Sequence, residues 1–211
     1  FLSVCWHALE DAGYASRRLA GARVGCLAGI VNDDYRSMIN DAEDTPVARA
    51  MLGNATALLS ARLAYFLDLR GAATTIDTGC SSSLVAVHMA CQALARGEAD
   101  MMLAGGVTLY LNELPYILMS NAGMLSPTGR CRAFSADADG IAPGEAAAVV
   151  VLKRLSDALA DGDHVYGVIR GSGVSQDGGT NGITAPSAVS QHELELEVYR
   201  QAGIGAERIT M

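Results

Sequence analysis

Lysine is almost absent from this chain of 211 residues: Lys153 is the only one, and the other basic residues are arginines. No Gly-Lys-Ser/Thr exists, which excludes a P-loop. Basic excess is lacking too. Fifteen basic against 23 acidic residues give a net charge of −8 and a pI near 4.9, the reverse of a phosphate-backbone binder, so nucleic acid is not an expected partner. There is no Cys-x-x-Cys. Cys5, Cys26, Cys80, Cys91 and Cys131 are scattered and odd in number, which argues against a disulfide framework and a structural zinc site and fits a reducing, cytoplasmic compartment. The conspicuous uncharged run, Thr78 to Ala95, carries three serines, a histidine and a glutamine, so no membrane span is expected. No repeat, low-complexity tract or targeting segment is visible, and the chain opens at Phe1 inside a helical pattern, as if within a longer protein. What is present is apolar: 50% of residues, against 18% charged, as in a packed globular protein long enough for one sizeable core or parts of two.

The pattern alternates. Phe1–Ala12 predicts a helix with Leu2, Cys5, Trp6 and Leu9 on one face, stopped at Gly13. Arg23–Ile30 predicts a short buried strand, and Thr56–Leu67 a helix presenting Leu59, Leu63 and Phe66 before a break at Arg70-Gly71. Ala72–Asp77 has β-branched strand character; Ser81–Arg96 is a helix stopped by Gly97, and Met101–Leu109 is the next strand. Strand, helix, strand with short connections is the βαβ signature of a layered α/β protein with parallel pairing. After an irregular stretch, Pro127–Gly144, the apolar run Ala146–Leu152 predicts a strand buried on both faces. A turn at Asp161-Gly162-Asp163 leads to a strand at Val165–Val174, a loop at Gln176–Pro186, a helix at Ala188–Ala202 and the start of a strand at Arg208–Met211.

Chemistry concentrates at Thr75-Ile76-Asp77-Thr78-Gly79-Cys80-Ser81-Ser82-Ser83-Leu84, where a strand meets a sharp turn and a helix begins. That is the layout of a nucleophile elbow. A cysteine there sees the positive end of the helix macrodipole and unpaired amides, offers its own N–H to an oxyanion, and is placed to form a thioester. A small cysteine packed into a turn is the plain alternative. Cys5, Cys26, Cys91 and Cys131 are expected to serve packing only. No histidine is well placed to assist: His88 lies about 12 Å along the helix that Cys80 heads, and His7, His164 and His192 suit solvated or capping roles. Gly171-Ser172-Gly173 lacks the third glycine and the helix of a dinucleotide fingerprint. Asp137, Asp139 and Glu145 lack the order of an EF-hand and are expected in a solvated loop.

From Asp77 to Ala86 the sequence resembles the active-site block of β-ketoacyl synthases, specifically the ketosynthase domains of modular type I polyketide synthases. Trp6-His7-Ala8-Leu9-Glu10-Asp11-Ala12-Gly13, Leu103-Ala104-Gly105-Gly106-Val107, Gly129-Arg130-Cys131-Arg132-Ala133-Phe134, Val174–Gly178 and Asn181–Pro186 agree with it, so the resemblance covers essentially the whole chain. The run Tyr110–Ser126 looks most like the branch served by separate, trans-acting acyltransferases.

The resemblance implies a thiolase-like α/β fold, layered α-β-α-β-α. Residues 1–160 would be an N-terminal half lacking its first strand, and 161–211 the beginning of a C-terminal half. It implies decarboxylative Claisen condensation: Cys80 takes an acyl chain from an acyl carrier protein as a thioester, and a malonyl-type extender on a second carrier attacks it. The domain binds no cofactor; phosphopantetheine arrives on the carrier. Partners would be acyl carrier protein, a second copy in a homodimer, other polyketide synthase domains and a trans-acting acyltransferase. The two family histidines stand in His-Gly-Thr-Gly-Thr and Asn-x-Gly-His blocks, neither of which occurs here, so the segment alone is expected to be inactive. The competing functions are a non-condensing acyl-transfer or docking ketosynthase and, less favoured by the Cys80 and Gln176 blocks, a thiolase working on coenzyme A.

Two departures stand out. Gly79 replaces the family's usual alanine before the nucleophile, which should loosen the elbow and lower activity; Ala146 replaces the last glycine of Gly-Glu-Gly and would be strained at a positive φ. The opening strand would belong between Arg23–Ile30 and Met101–Leu109, so the sheet is expected to lack its centre and, with apolar faces exposed, the chain alone to be insoluble or molten.

Overall fold

The computed structural model describes residues 1–31, 34–35 and 47–210. Helices α1 (Leu2–Asp11) and α2 (Ser16–Leu19) precede strand β1 (Val24–Gly29); α3 (Val47–Asn54) and α4 (Leu58–Leu67) lead to β2 (Ala73–Ile76). Helix α5 (Ser82–Ala95), β3 (Met101–Thr108), α6 (Leu114–Asn121), β4 (Ala146–Leu152), α7 (Leu155–Asp161) and α8 (Ala188–Ala202) follow, with a 3-10 turn at Ala206–Arg208. The sheet order is β2-β1-β3-β4, parallel except for β4.

The central strands β1 and β3 read as continuous apolar runs because both of their faces are covered. Val24, Cys26, Met101 and Leu103 point toward Cys5 and Leu9 of α1 and Leu63 and Leu67 of α4. Leu27, Ile76, Met102 and Ala104 meet Ala86, Ala90 and Leu94 of α5 on the other side. Alternation within each strand thus feeds two cores. Small residues let α5 lie close to the sheet. A Cβ at Gly29 would stand 2.6 Å from the Ser83 amide nitrogen, and one at Gly106 would stand 2.9 Å from the Ser83 Cβ, so glycine at both places lets the head of α5 sit on the strand ends.

Several expectations need correction. β1 and β3 pair directly over six residues, Val24–Gly29 with Met101–Gly106, so the sheet has no gap at its centre. β4 is a strand but is not buried on both faces: Ala147, Val149 and Val151 are half-buried, while Ala146, Ala148 and Val150 are exposed. It is an edge strand, opposite the other edge at β2, and α1 covers it while α5 packs on β1, β2 and β3. Val165–Val174 forms no strand and belongs to no sheet; no described strand lies beside it. Arg208 lies in the 3-10 turn, Ile209 and Thr210 form no strand, and Met211 is outside the described residues.

Helix α4 ends at Asp68, whose φ of 51° is left-handed, two residues before the expected break. Its buried face is Ser60, Leu63 and Leu67, because Ser60 is drawn in against Thr75 (Oγ to Oγ1 3.3 Å). Phe66 therefore lies outside, its ring 6.4 Å from that of a half-exposed Trp6. α2, α3, α6 and α7 are too short for a periodicity reading to find. Among the described residues no helix is long and apolar enough to cross a membrane.

Candidate active site

Five residues join β2 to α5, and their side chains tie the turn to itself. Asp77 Oδ1 accepts the Gly79 N–H at 3.0 Å, and Gly79 takes a φ of +67°. The Ser82 hydroxyl accepts the Thr78 N–H at 2.9 Å and donates to the Gly79 carbonyl at 2.6 Å, while Ser81 Oγ donates to the Thr78 carbonyl at 2.9 Å. Ser82 is buried with its hydroxyl satisfied as donor and acceptor, so it is a clamp. These bonds bracket Cys80, whose own side chain is left exposed just before the N-cap Ser81. The Ser81-Ser82-Ser83 run carried this signal: two cross-links and one small contact to the sheet.

The thiol lines a cavity of about 380 Å³ at the carboxyl ends of β1 and β3, with Gly29, Gly106 and Thr108 on the strand side and Ala146 and Val150 from the open face of β4. Its walls are small and apolar, and its size suits a short chain beside a reacting sulfur. The open carboxyl end of parallel strands is where α/β sheets bind ligands.

The other candidates lie elsewhere. No histidine lines this cavity among the described residues. His88 Nδ1 is 2.9 Å from Ser172 Oγ, His164 stands edge-on to Tyr166 at 4.6 Å, and His7 and His192 are exposed. Cys5 and Cys26 are buried in one core, where contact with Cys5 and burial push the Cys26 thiol well up; burial also raises Cys91. Cys131 corrects the packing expectation. It is exposed, and its sulfur accepts the Ala142 N–H at 3.1 Å, pinning the 127–144 loop.

No group of three or more His, Cys, Asp and Glu among the described residues is placed to hold a metal. Asp139 accepts from Ser126 Oγ at 2.7 Å, and Glu145 accepts the Tyr110 N–H at 2.5 Å. Gly171 and Gly173 have a packing reason: a Cβ at Gly173 would meet Leu194 and Val198 of α8 at 2.8 Å. Ala146 is not among the residues with positive φ, so the strain considered for it is absent.

A mixed sheet between helices, with a cysteine elbow at its parallel carboxyl edge, is the frame of a thiolase-like enzyme. Residues 1–158 match the family model for the β-ketoacyl synthase N-terminal domain and residues 166–211 that for the C-terminal domain, so the chain belongs to the β-ketoacyl synthase family. Polyketide synthase PksL of Bacillus subtilis is 51% identical over 210 residues, covering 100% of this chain and 4% of PksL. The phthioceranic/hydroxyphthioceranic acid synthase of Mycobacterium tuberculosis is 47% identical over 210 residues, covering 100% of this chain and 10% of that protein. The ketosynthase from module 6 of the bacillaene synthase of Bacillus subtilis 168 superposes with a TM-score of 0.92 at 51% identity, covering 100% of this chain and 35% of that one. An oxazolomycin ketosynthase domain of Streptomyces albus JA3453 gives 0.87 at 36% identity, covering 97% and 35%. The chain thus spans about a third of these solved ketosynthases.

Proposed function

We propose that this chain is a ketosynthase segment of a modular polyketide synthase, with residues 1–160 in the N-terminal half of the domain and 161–211 opening the C-terminal half. Cys80 is its nucleophile. The sulfur attacks an acyl thioester on an acyl carrier protein; the carrier's phosphopantetheine thiol leaves with the proton, and the acyl group stays on Cys80. The Cys80 N–H, beside the start of α5, serves as one oxyanion donor. A malonyl-type extender on a second carrier then loses CO2, and the electron pair of the broken C–C bond attacks the Cys80 thioester. A new C–C bond forms, the C–S bond breaks and the sulfur regains a proton. The supporting observation is the exposed thiol on a cross-linked elbow facing a small apolar cavity. No histidine of the described residues lines that cavity, so the decarboxylation step is not assigned to any of them.

β2 is one of the two edge strands of the sheet, which supports a homodimer formed by strand pairing across that edge. The Tyr110–Ser126 run supports service by a trans-acting acyltransferase, and five free cysteines support a cytoplasmic setting. The test is Cys80→Ala in the ketosynthase domain that carries this segment, with Cys131→Ala, the other exposed thiol, as control. Intact-protein mass spectrometry after incubation with an acyl carrier thioester should show the acyl adduct in Cys131→Ala and none in Cys80→Ala. An adduct that persists in Cys80→Ala refutes the assignment.

A further inference from the structure

The Cys80 N–H shares a peptide unit with the Gly79 carbonyl, and Ser82 holds that carbonyl twice. Ser82 Oγ donates to it at 2.6 Å and the Ser82 N–H at 3.1 Å. The hydroxyl has one proton to give, and because its oxygen accepts the Thr78 N–H at 2.9 Å, that proton is committed to Gly79. Ser82 is 3% exposed, so bulk water does not compete for these bonds. It is the first residue of α5, and its side chain reaches back three residues to a carbonyl, a local bond open to serine. Upstream, Asp77 Oδ1 accepts the Gly79 N–H at 3.0 Å, which fixes the preceding peptide as well.

The Gly79–Cys80 peptide is trans, so it is planar with its C=O and N–H on opposite sides. Tying the carbonyl down therefore sets the direction in which the Cys80 N–H leaves the other side, and Gly79 and Cys80 both line the cavity. We propose that Ser82 is a positioning residue for acyl transfer, whose hydroxyl orients the Gly79–Cys80 peptide so that the Cys80 N–H meets the thioester oxygen as it gains charge. A donor fixed beforehand loses nothing to reorganisation when that charge develops. Donation to the carbonyl also polarises the amide. The Thr78 N–H, the Ser82 hydroxyl and the Gly79–Cys80 amide thus form one chain of bonds that strengthens its last donor, the Cys80 N–H.

The inference rests on the ketosynthase reading, in which the Cys80 N–H is an oxyanion donor, and the experiment separates the two. In the ketosynthase domain that carries this segment, Cys80 is acylated with butyryl-N-acetylcysteamine and, separately, alkylated with iodoacetamide, each rate being followed by mass spectrometry of the Cys80 peptide. Acylation puts negative charge on a carbonyl oxygen, whereas alkylation displaces iodide and puts none there, so only acylation uses the oriented N–H. Ser82→Ala should slow acylation about tenfold, short of the ~100-fold loss that removing an oxyanion donor causes, and leave alkylation within about twofold. Ser82→Cys, which fills the site but donates weakly, should show the same split, so the test stands even where the alanine variant fails to fold. An equal fall in both rates overturns the proposal, since Ser82 would then only hold the thiol in place, and acylation that is unchanged in both variants overturns it too. An unmodified domain that alkylates at Cys80 but does not acylate there overturns the ketosynthase reading itself.

Discussion

The sheet around β1 and the segment from 165 to 210 contain similar apolar residues and treat them differently. Every residue of β1 is buried, whereas none from 165 to 210 is. The difference lies in partners. β1 is flanked by β2 and β3 and covered on both faces, while 165–174 lies beside no described strand and touches the rest at Tyr166 Oη to Asp11 (3.1 Å), the His88–Ser172 bond and α8. An apolar, β-branched run suits a strand, but neighbours decide whether it becomes one.

The largest expected effect follows from that contrast. In the 211-residue chain, amides of β1 and β3 should exchange at least about 100-fold more slowly than those of 165–174, as measured by hydrogen exchange. Leu103→Ala removes a side chain with no exposed surface and should lower β1 and β3 protection by about 2–5 kcal/mol. Leu194→Ala, a half-buried side chain on the largely exposed α8, should change it by less than about 0.5 kcal/mol. Equal effects would erase the distinction between the regions. The chain should also bind a hydrophobic dye, since Leu84, Val150, Leu159 and Tyr166 are exposed, so exposure remains as a ground for a loosely folded chain although the missing sheet centre does not.

A smaller effect belongs to the joint between the regions. Lys153 Nζ bonds Tyr14 Oη at 2.7 Å, Asp161 Oδ2 at 2.5 Å and Asp163 Oδ2 at 2.6 Å, and Tyr14 Oη donates to Asp163 Oδ1 at 2.8 Å. Burial pulls the Asp163 carboxyl upward, but the bonds from Lys153 and Tyr14 outweigh it and hold it below its ordinary value. Its stabilisation is thus present above the unfolded value of about 3.9 and is lost as pH falls through the lower folded value. Burial pulls Lys153 down, and its three partners outweigh that, so its contribution is complete below about pH 10 and fades as pH rises through the raised folded value. Asp163→Asn should cost about 1–2 kcal/mol at pH 7, read as lost protection in β4 and α7. It should also flatten the pH dependence below about 4. An unchanged acid profile would show that Asp163 does not hold this joint.

Much of the fold was legible where pattern and partners agreed. β1, β2, β3, α1, α5 and α8 fall within a residue or two of the expected limits, because each carries a clear period or a glycine stop. Exposure was less legible. The apolar stretch of β4 gave no sign that it would be an edge strand, and Phe66 shares the helical spacing of Leu59 and Leu63 yet faces out because Ser60 meets Thr75. At the site, the elbow was visible in the order of residues around Cys80. Ser82 as a clamp and Glu145 as the grip on Tyr110 were not, since one depends on hydroxyl direction and the other on a contact across 35 residues.

Gly79 carries the smallest effect and the sharpest disagreement with expectation. A glycine at the position where the resemblance implies alanine was expected to loosen the elbow, but its backbone takes a φ of +67°, a region that costs a side-chain-bearing residue about 1 kcal/mol or more. A Cβ there would meet nothing within 4 Å, so alanine would be opposed by the backbone alone and not by packing. The turn is also held from both sides, by Asp77 on the Gly79 N–H and by Ser82 on its carbonyl, so glycine's freedom is already restrained in the folded state. Gly79→Ala should therefore lower the protection of β2 and α5 amides by about 1 kcal/mol in hydrogen exchange, and slow Cys80 acylation rather than speed it. Raised protection together with faster acylation would show that the elbow relaxes to a negative φ when given a side chain, and that the glycine loosens this site after all.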